Sequence, residues 1–219
     1  MLCSHPKLLE ISALKFKNNL GQDGSQYAYD LSSAGHLDGL KDSPKLDTLV
    51  EYIKDFLDQR PDNKAVIFAT YVDMVHLIEH QFKEGVAVTY TGELDAKTKE
   101  QNKVAFNTDP NIRILISSDA GGYGVDLPAA NLLINYDLPW SSGLAVQRNG
   151  RIKRASSTWK TIVIQDILVN NSIEERQHDA LQQKNSVANA VMDGEGIDDK
   201  GGIDLTLGSL KTFIQSTSV

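Results

Sequence analysis

Ala65-Val66-Ile67-Phe68-Ala69 is an unbroken apolar run of strand length, and Thr70-Tyr71 ends it. A strand apolar at every position is buried on both faces, the habit of a parallel sheet covered by helices. Upstream, Ser43-Pro44 reads as a helix start, since serine caps free N–H groups and proline suits the first helical position. Leu46, Leu49, Val50, Ile53 and Phe56-Leu57 then recur at helical spacing. Downstream, the pattern predicts helix over about Val72 to Lys83, strand from Val86 to Tyr90 and helix from Asp95 to Phe106. Strand follows from Ile112 to Ser117, then a glycine-rich turn, strand from Leu132 to Tyr136, helix from Ser142 to Lys153 and strand from Thr161 to Leu168. Alternating strands and helices of this kind define an α/β domain with a parallel sheet, whose ligands collect at the carboxyl ends of the strands.

The flanks are less regular. Cys3 to Leu14 has helical character, whereas Asn18 to Asp42 is rich in Gly, Ser, Asp and Asn and reads as loop. Structure beginning in mid-element points to a boundary within a longer chain. Ser172-Ile173-Glu174-Glu175 is a capping box that starts a helix running to about Val191. Asp193 to Gly202 reads as linker and Leu205 to Ile214 as a last short helix.

The 219 residues, 41% hydrophobic and 23% charged, suffice for one sizeable core. No apolar run approaches membrane-spanning length, and the start does not resemble a signal peptide. The single cysteine, Cys3, cannot form an internal disulfide, and a reducing compartment is the natural reading. The net charge of -7 argues mildly against a nucleic-acid binder. Its distribution argues the other way: no acid lies between Asp137 and Asp166, while Arg148, Arg151, Lys153, Arg154 and Lys160 do. That patch fits either a confined anionic ligand or a solvated basic face.

Four segments carry chemistry. Gln147-Arg148-Asn149-Gly150-Arg151-Ile152-Lys153-Arg154 reads Gln-x-x-Gly-Arg-x-x-Arg. Arg151 and Arg154 are expected to share one helix face, where two guanidinium groups can clamp a phosphate. Alone, the segment reads more readily as a basic amphipathic helix on the surface. Ser117-Ser118-Asp119-Ala120-Gly121-Gly122-Tyr123-Gly124-Val125-Asp126-Leu127 follows a strand directly, with serines able to meet phosphates and Asp126 able to accept from a ribose hydroxyl. Ala69-Thr70-Tyr71 and Thr91-Gly92 put hydroxyls and backbone amides at two further strand ends. Each of these, taken singly, is ordinary loop chemistry. His76 and His80 lie one helical turn apart with no third ligand in view, so no metal site is expected, and Trp140 and Trp159 read as packing residues.

Taken together, the order and spacing resemble motifs IV, IVa, V and VI of superfamily two helicases, and more closely the Swi/Snf family of double-stranded-DNA translocases. Cys3-Ser4-His5-Pro6-Lys7-Leu8-Leu9 is similar to that family's Cys-x-His-Pro-x-Leu segment between two lobes, and Ser43-Pro44-Lys45-Leu46 to its Ser-x-Lys-Leu helix. Asn135-Tyr136-Asp137-x-Pro139-Trp140 resembles its Tyr-Asp-x-x-Trp strand end, and Ser172-Ile173-Glu174-Glu175-Arg176 the start of its brace helix.

The resemblance implies a RecA-like three-layer α/β/α lobe over 43–170. An inter-lobe segment precedes it over 1–42, and a brace helix and tail follow over 171–219. It implies a double-stranded-DNA partner and an N-terminal lobe of the same protein that binds most of the ATP and its magnesium. Arg151 and Arg154 become arginine fingers, with Gln147 sensing the nucleotide. Gly122, Gly124 and Asp126 line the nucleotide cleft, and Ala69, Thr70, Tyr71, Thr91, Gly92, Ser117 and Ser118 track a DNA strand. The expected setting is a monomer in a bacterial or viral host cytoplasm, or the nucleus of a eukaryote.

There are departures: Gly150 stands where many members have Asp, and Asp126 where they usually have Asn. No Gly-x-x-x-x-Gly-Lys-Ser/Thr sequence and no Asp-Glu-x-His motif occurs, so this chain alone is expected to hydrolyse little or no ATP. Alternatives of a strand-separating DNA or RNA helicase lobe, or of a non-catalytic binding lobe, remain open on sequence. The spacing Gly121-Gly122-Tyr123-Gly124 disfavours a Rossmann dinucleotide site.

Overall fold

The computed structural model describes residues 3–18, 20, 25–40, 42–121 and 124–192, with side chains as far as residue 183. Helices α1 (Lys7–Lys17), α2 (Ser25–Ser33) and α3 (Pro44–Gln59) precede β1 (Ala65–Phe68). Next come α4 (Val72–Glu79), β2 (Ala87–Tyr90), α5 (Ala96–Thr108) and β3 (Ile114–Ser117). The chain continues through β4 (Leu132–Asn135), α6 (Ser142–Asn149), β5 (Val163–Asp166) and α7 (Ile173–Met192). The cap predicted at Ser43 is in place, and two further helices are capped in the same way. Ser43 accepts from the Leu46 amide with Pro44 in the first turn, Asp95 accepts from the Thr98 amide, and Ser141 from Leu144.

The five strands run parallel in the order β2-β3-β1-β4-β5. Strand alternation sorts their apolar side chains onto two faces. Ala65, Ile67, Ile114, Ile116, Leu132 and Ile134 pack under α3 and α4 through Leu49, Ile53, Met74, Val75 and Ile78. Val66, Phe68, Leu115 and Leu133 pack on the other face against Phe106 of α5, with Val125, Leu127 and Ile152. Helices on both faces of a parallel sheet give the expected three-layer α/β architecture. At the amino edge the Lys64 ammonium donates to the carbonyls of Phe106 (2.5 Å) and Asp109 (2.7 Å). Desolvation holds that amine below its ordinary pKa. Arg113 donates to the carbonyls of Leu57, Arg60 and Asn63. The edge opposite is left to polar loops.

The structure corrects several expectations. The stretch read as loop contains α2, because it packs on α1: Ala28 is buried and the Phe16 and Tyr29 rings lie 5.4 Å apart. Loop-like composition is outweighed there by tertiary contact. Helix α6 stops at Asn149, not Lys153, because the chain beyond Gly150 is drawn away: the Arg151 carbonyl accepts from the Leu127 amide at 2.9 Å. Trp140, expected to pack, is 72% exposed, whereas the half-buried Trp159 donates its indole N–H to the Ala129 carbonyl. Helix α7 starts where the capping box places it: Ser172 Oγ accepts from the Glu174 amide. Glu175 reaches back to the Asn171 amide, one residue further than the ideal box. The expected linker from Asp193 and the helix from Leu205 to Ile214 lie outside the described residues. No helix among the described residues is long and apolar enough to cross a membrane.

Candidate functional site

Strands β1 and β4 are neighbours, and the chain leaves them in opposite directions, through α4 toward β2 and through α6 toward β5. Such a divergence opens a crevice at the carboxyl edge, and Asp137 fills its floor. Its carboxylate accepts from the Thr70 amide at 2.8 Å and from the Ser4 hydroxyl. Its backbone carbonyl accepts from Arg148 at 2.7 Å. Three predicted segments therefore meet on one residue. Tyr71, half-buried beside it, has its phenol pushed up by burial first and by the Asp137 charge second.

Arg148 is 1% exposed. Its Nε and Nη2 donate to the two carboxylate oxygens of Asp119 at 2.7 and 2.8 Å, and Nη1 donates to Asn135 Oδ1 at 2.8 Å. The guanidinium also lies 5.1 Å from the Phe68 ring centre. A fully paired guanidinium of this kind tolerates burial. Sequence reasoning counted Arg148 only as part of a basic patch. The available signal was its position four residues after Leu144, on the inner face of the helix.

Gly121 explains why the turn after β3 needs glycine. A Cβ there would stand 2.2 Å from the Tyr90 carbonyl oxygen and 2.7 Å from Thr91 Cα. The close approach seats the Ser117–Gly121 loop against Thr91-Gly92. Ser117 and Ser118 are buried, and the Ser117 hydroxyl meets the carbonyls of Tyr90 and Ser118 at 3.0 Å. Ser117 thus braces the loop from inside, with its side chain out of reach of a phosphate in this conformation. Thr91 is buried, and its hydroxyl has no hydrogen-bond partner. Gly92 and Gly124 are exposed, while Gly122 lies outside the described residues.

Of the arginine pair, Arg151 is 9% exposed, whereas Arg154 is solvent-facing and pairs with Asp126 at 2.6 Å. They do not share a helix face, because the helix has already ended. Gln147 is exposed on α6. Two of the five basic residues in the acid-free stretch, Arg148 and Arg154, are thus paired with acids from the turn after β3. His76 lies 3.5 Å from Glu79, and the His80 ring meets the His76 carbonyl. Among the described residues no group of three His, Cys, Asp or Glu side chains is placed to hold a metal ion.

A parallel sheet of this order, with an arginine-bearing helix end set against a glycine-rich turn at its carboxyl edge, is a RecA-like α/β lobe. The chain belongs to the helicase conserved C-terminal domain family, whose model matches residues 44–156. It is 30% identical over 158 residues to an uncharacterized ATP-dependent helicase of Schizosaccharomyces pombe, spanning 71% of this chain and 15% of that protein. It is 29% identical over 154 residues to the chromatin-remodeling ATPase INO80 of Lodderomyces elongisporus, spanning 69% of this chain and 9% of that one. Among solved structures it resembles the SWI2/SNF2 ATPase core domain of Sulfolobus solfataricus, with a TM-score of 0.57 and 26% identity over 78% of this chain and 34% of that chain. The chain is a C-terminal helicase lobe of the Snf2-like, superfamily two type, and it spans a small fraction of the curated relatives it matches.

Proposed function

We propose that this lobe is half of an ATP-driven double-stranded-DNA translocase, working as a monomer with an N-terminal lobe that holds ATP and magnesium. The observation that carries the reading is the meeting of Asp126 and Arg154 at 2.6 Å beside the buried Arg151. It brings the loop expected at the ribose against the turn expected at the γ-phosphate. In the closed motor, Arg154 exchanges Asp126 for phosphate oxygens, and Arg151 turns outward beside it. Guanidinium groups there stabilise charge developing on the transferring phosphoryl group. Gln147 reads the nucleotide from the exposed face of α6, and Gly122 and Gly124 let the turn approach it closely.

On the DNA side, Thr70, Tyr71 and Gly92 follow one strand by its phosphates, with the buried Thr91, Ser117 and Ser118 holding the loops that present them. Phosphate contacts position a motor without reading sequence, as a translocase requires. Residues 1–42 connect the lobes, 43–170 form this lobe, and 171–219 supply a brace helix and a C-terminal tail. The test is ATP hydrolysis by the intact motor with and without duplex DNA, beside Arg151→Ala. Stimulation by duplex that the substitution abolishes is the expected result. Stimulation by RNA or single strands alone would make this a different helicase, and no hydrolysis would make it a binding lobe.

A further inference from the structure

We propose that Arg148 is a positioning residue that makes the strand-end loops and the Arg151–Arg154 turn move as one body, an assignment that rests on the motor reading above. Four of its five N–H groups are used: two grip Asp119 in the loop after β3, and two hold Asn135 and the Asp137 carbonyl at the end of β4. Asp119 opens the loop that ends at Gly121, where contact with Tyr90 and Thr91 allows no slack. Asp137 carries the linkage to Thr70 and Ser4. Asn135 carries it to Asp166 at 2.8 Å, and Asp166 lies 3.7 Å from His178 of α7. Arg148 is also three residues before Arg151, whose amide donates to the Arg148 carbonyl at 3.0 Å.

A shift of the turn toward a nucleotide therefore cannot leave the Asp119 loop or Thr70 behind without breaking a buried, charge-assisted hydrogen bond. Lysine would keep the charge as a single point and lose the fork that grips the loop after β3 and the end of β4 at once. In the motor reading Gln147 and Arg151 serve the nucleotide directly, whereas Arg148 acts only through other residues.

The first measurement is amide hydrogen exchange on this chain, wild type against Arg148→Lys. The Thr70, Ser118 and Gly121 amides are all hydrogen-bonded and report on the two loops. Their protection should fall together by about tenfold while Ile67 and Ile116 in the strands stay protected. Loss confined to the helix end, or no loss, overturns the linkage. If Arg148→Lys does not fold, Asp119→Asn is read at the same amides, where Thr70 must loosen although it does not touch Asp119.

The second measurement uses the intact motor. Arg148→Lys should lower the ratio of duplex-stimulated to basal hydrolysis by about fivefold while the KM for ATP without DNA holds. Parallel loss of both rates would reduce Arg148 to a fold-stabilising residue. A wild-type motor that no nucleic acid stimulates would sink the functional reading, and the exchange experiment would still decide the linkage.

Discussion

The Lys45 ammonium and the Glu174 carboxylate meet at 2.5 Å in the interior, joining α3 to α7 across 129 residues of sequence. Both side chains are almost fully buried. The ammonium lies 4.8 Å from the Tyr136 ring centre, and the second Glu174 oxygen accepts from the Val169 amide at 3.0 Å. Removing one partner leaves the other charge buried without compensation. Lys45→Met or Glu174→Gln should each cost about 3–5 kcal/mol, and Lys45→Met with Glu174→Leu should cost less than either alone. Urea unfolding of the three variants checks this, and additive losses would show that the two groups do not act as a pair.

Gly121 and Gly92 make a second comparison. Gly121→Ala drives a Cβ into the Tyr90 backbone, so a loss of about 1–3 kcal/mol or more is expected. At Gly92 the nearest atom to an added Cβ is the Ala120 Cβ at 3.5 Å, an ordinary contact. Gly92→Ala should stay within about 0.5 kcal/mol of wild type. Equal effects would mean that the close approach is relieved by the loop shifting.

The Arg154–Asp126 pair is solvent-facing, so Arg154→Ala should change stability by no more than about 1 kcal/mol. In the intact motor the same change should reduce hydrolysis by about 10³-fold or more, the size of an arginine-finger loss. A melting curve and a steady-state assay on one preparation separate the two effects. Unchanged hydrolysis would remove Arg154 from the proposed machinery.

His5 supplies the pH prediction. Burial lowers its pKa below the ordinary 6.5, and its Nδ1 accepts from the Lys7 amide at 3.0 Å, which requires the neutral ring. The unfolded chain therefore takes up the proton first. The stabilisation is complete above 6.5 and is lost as pH falls through the depressed folded value. Unfolding free energies of wild type and His5→Asn between pH 7.5 and about 5 should converge as the solution becomes more acidic. Parallel pH profiles would exclude His5 as the titrating group.

Sequence alone determined the alternation of strands and helices and the parallel class of sheet. The reasons are local: runs such as Ile114–Ile116 have no polar face to show to water, and Ser43, Asp95 and Ser141 end free N–H groups within a few residues of themselves. The motif residues were legible for the same reason, as polar breaks directly after apolar strands. Only the tertiary structure decided where α6 ends, because the Leu127 amide that draws off the Arg151 carbonyl comes from a distant loop. Only it decided that Arg148 is a buried hub while Arg154 stays outside, since Asp119 reaches that guanidinium from the end of β3 and Asn135 and Asp137 from the end of β4. A charged side chain's role depends on which partners the fold delivers to it, and a one-dimensional pattern carries the charge but not the partner.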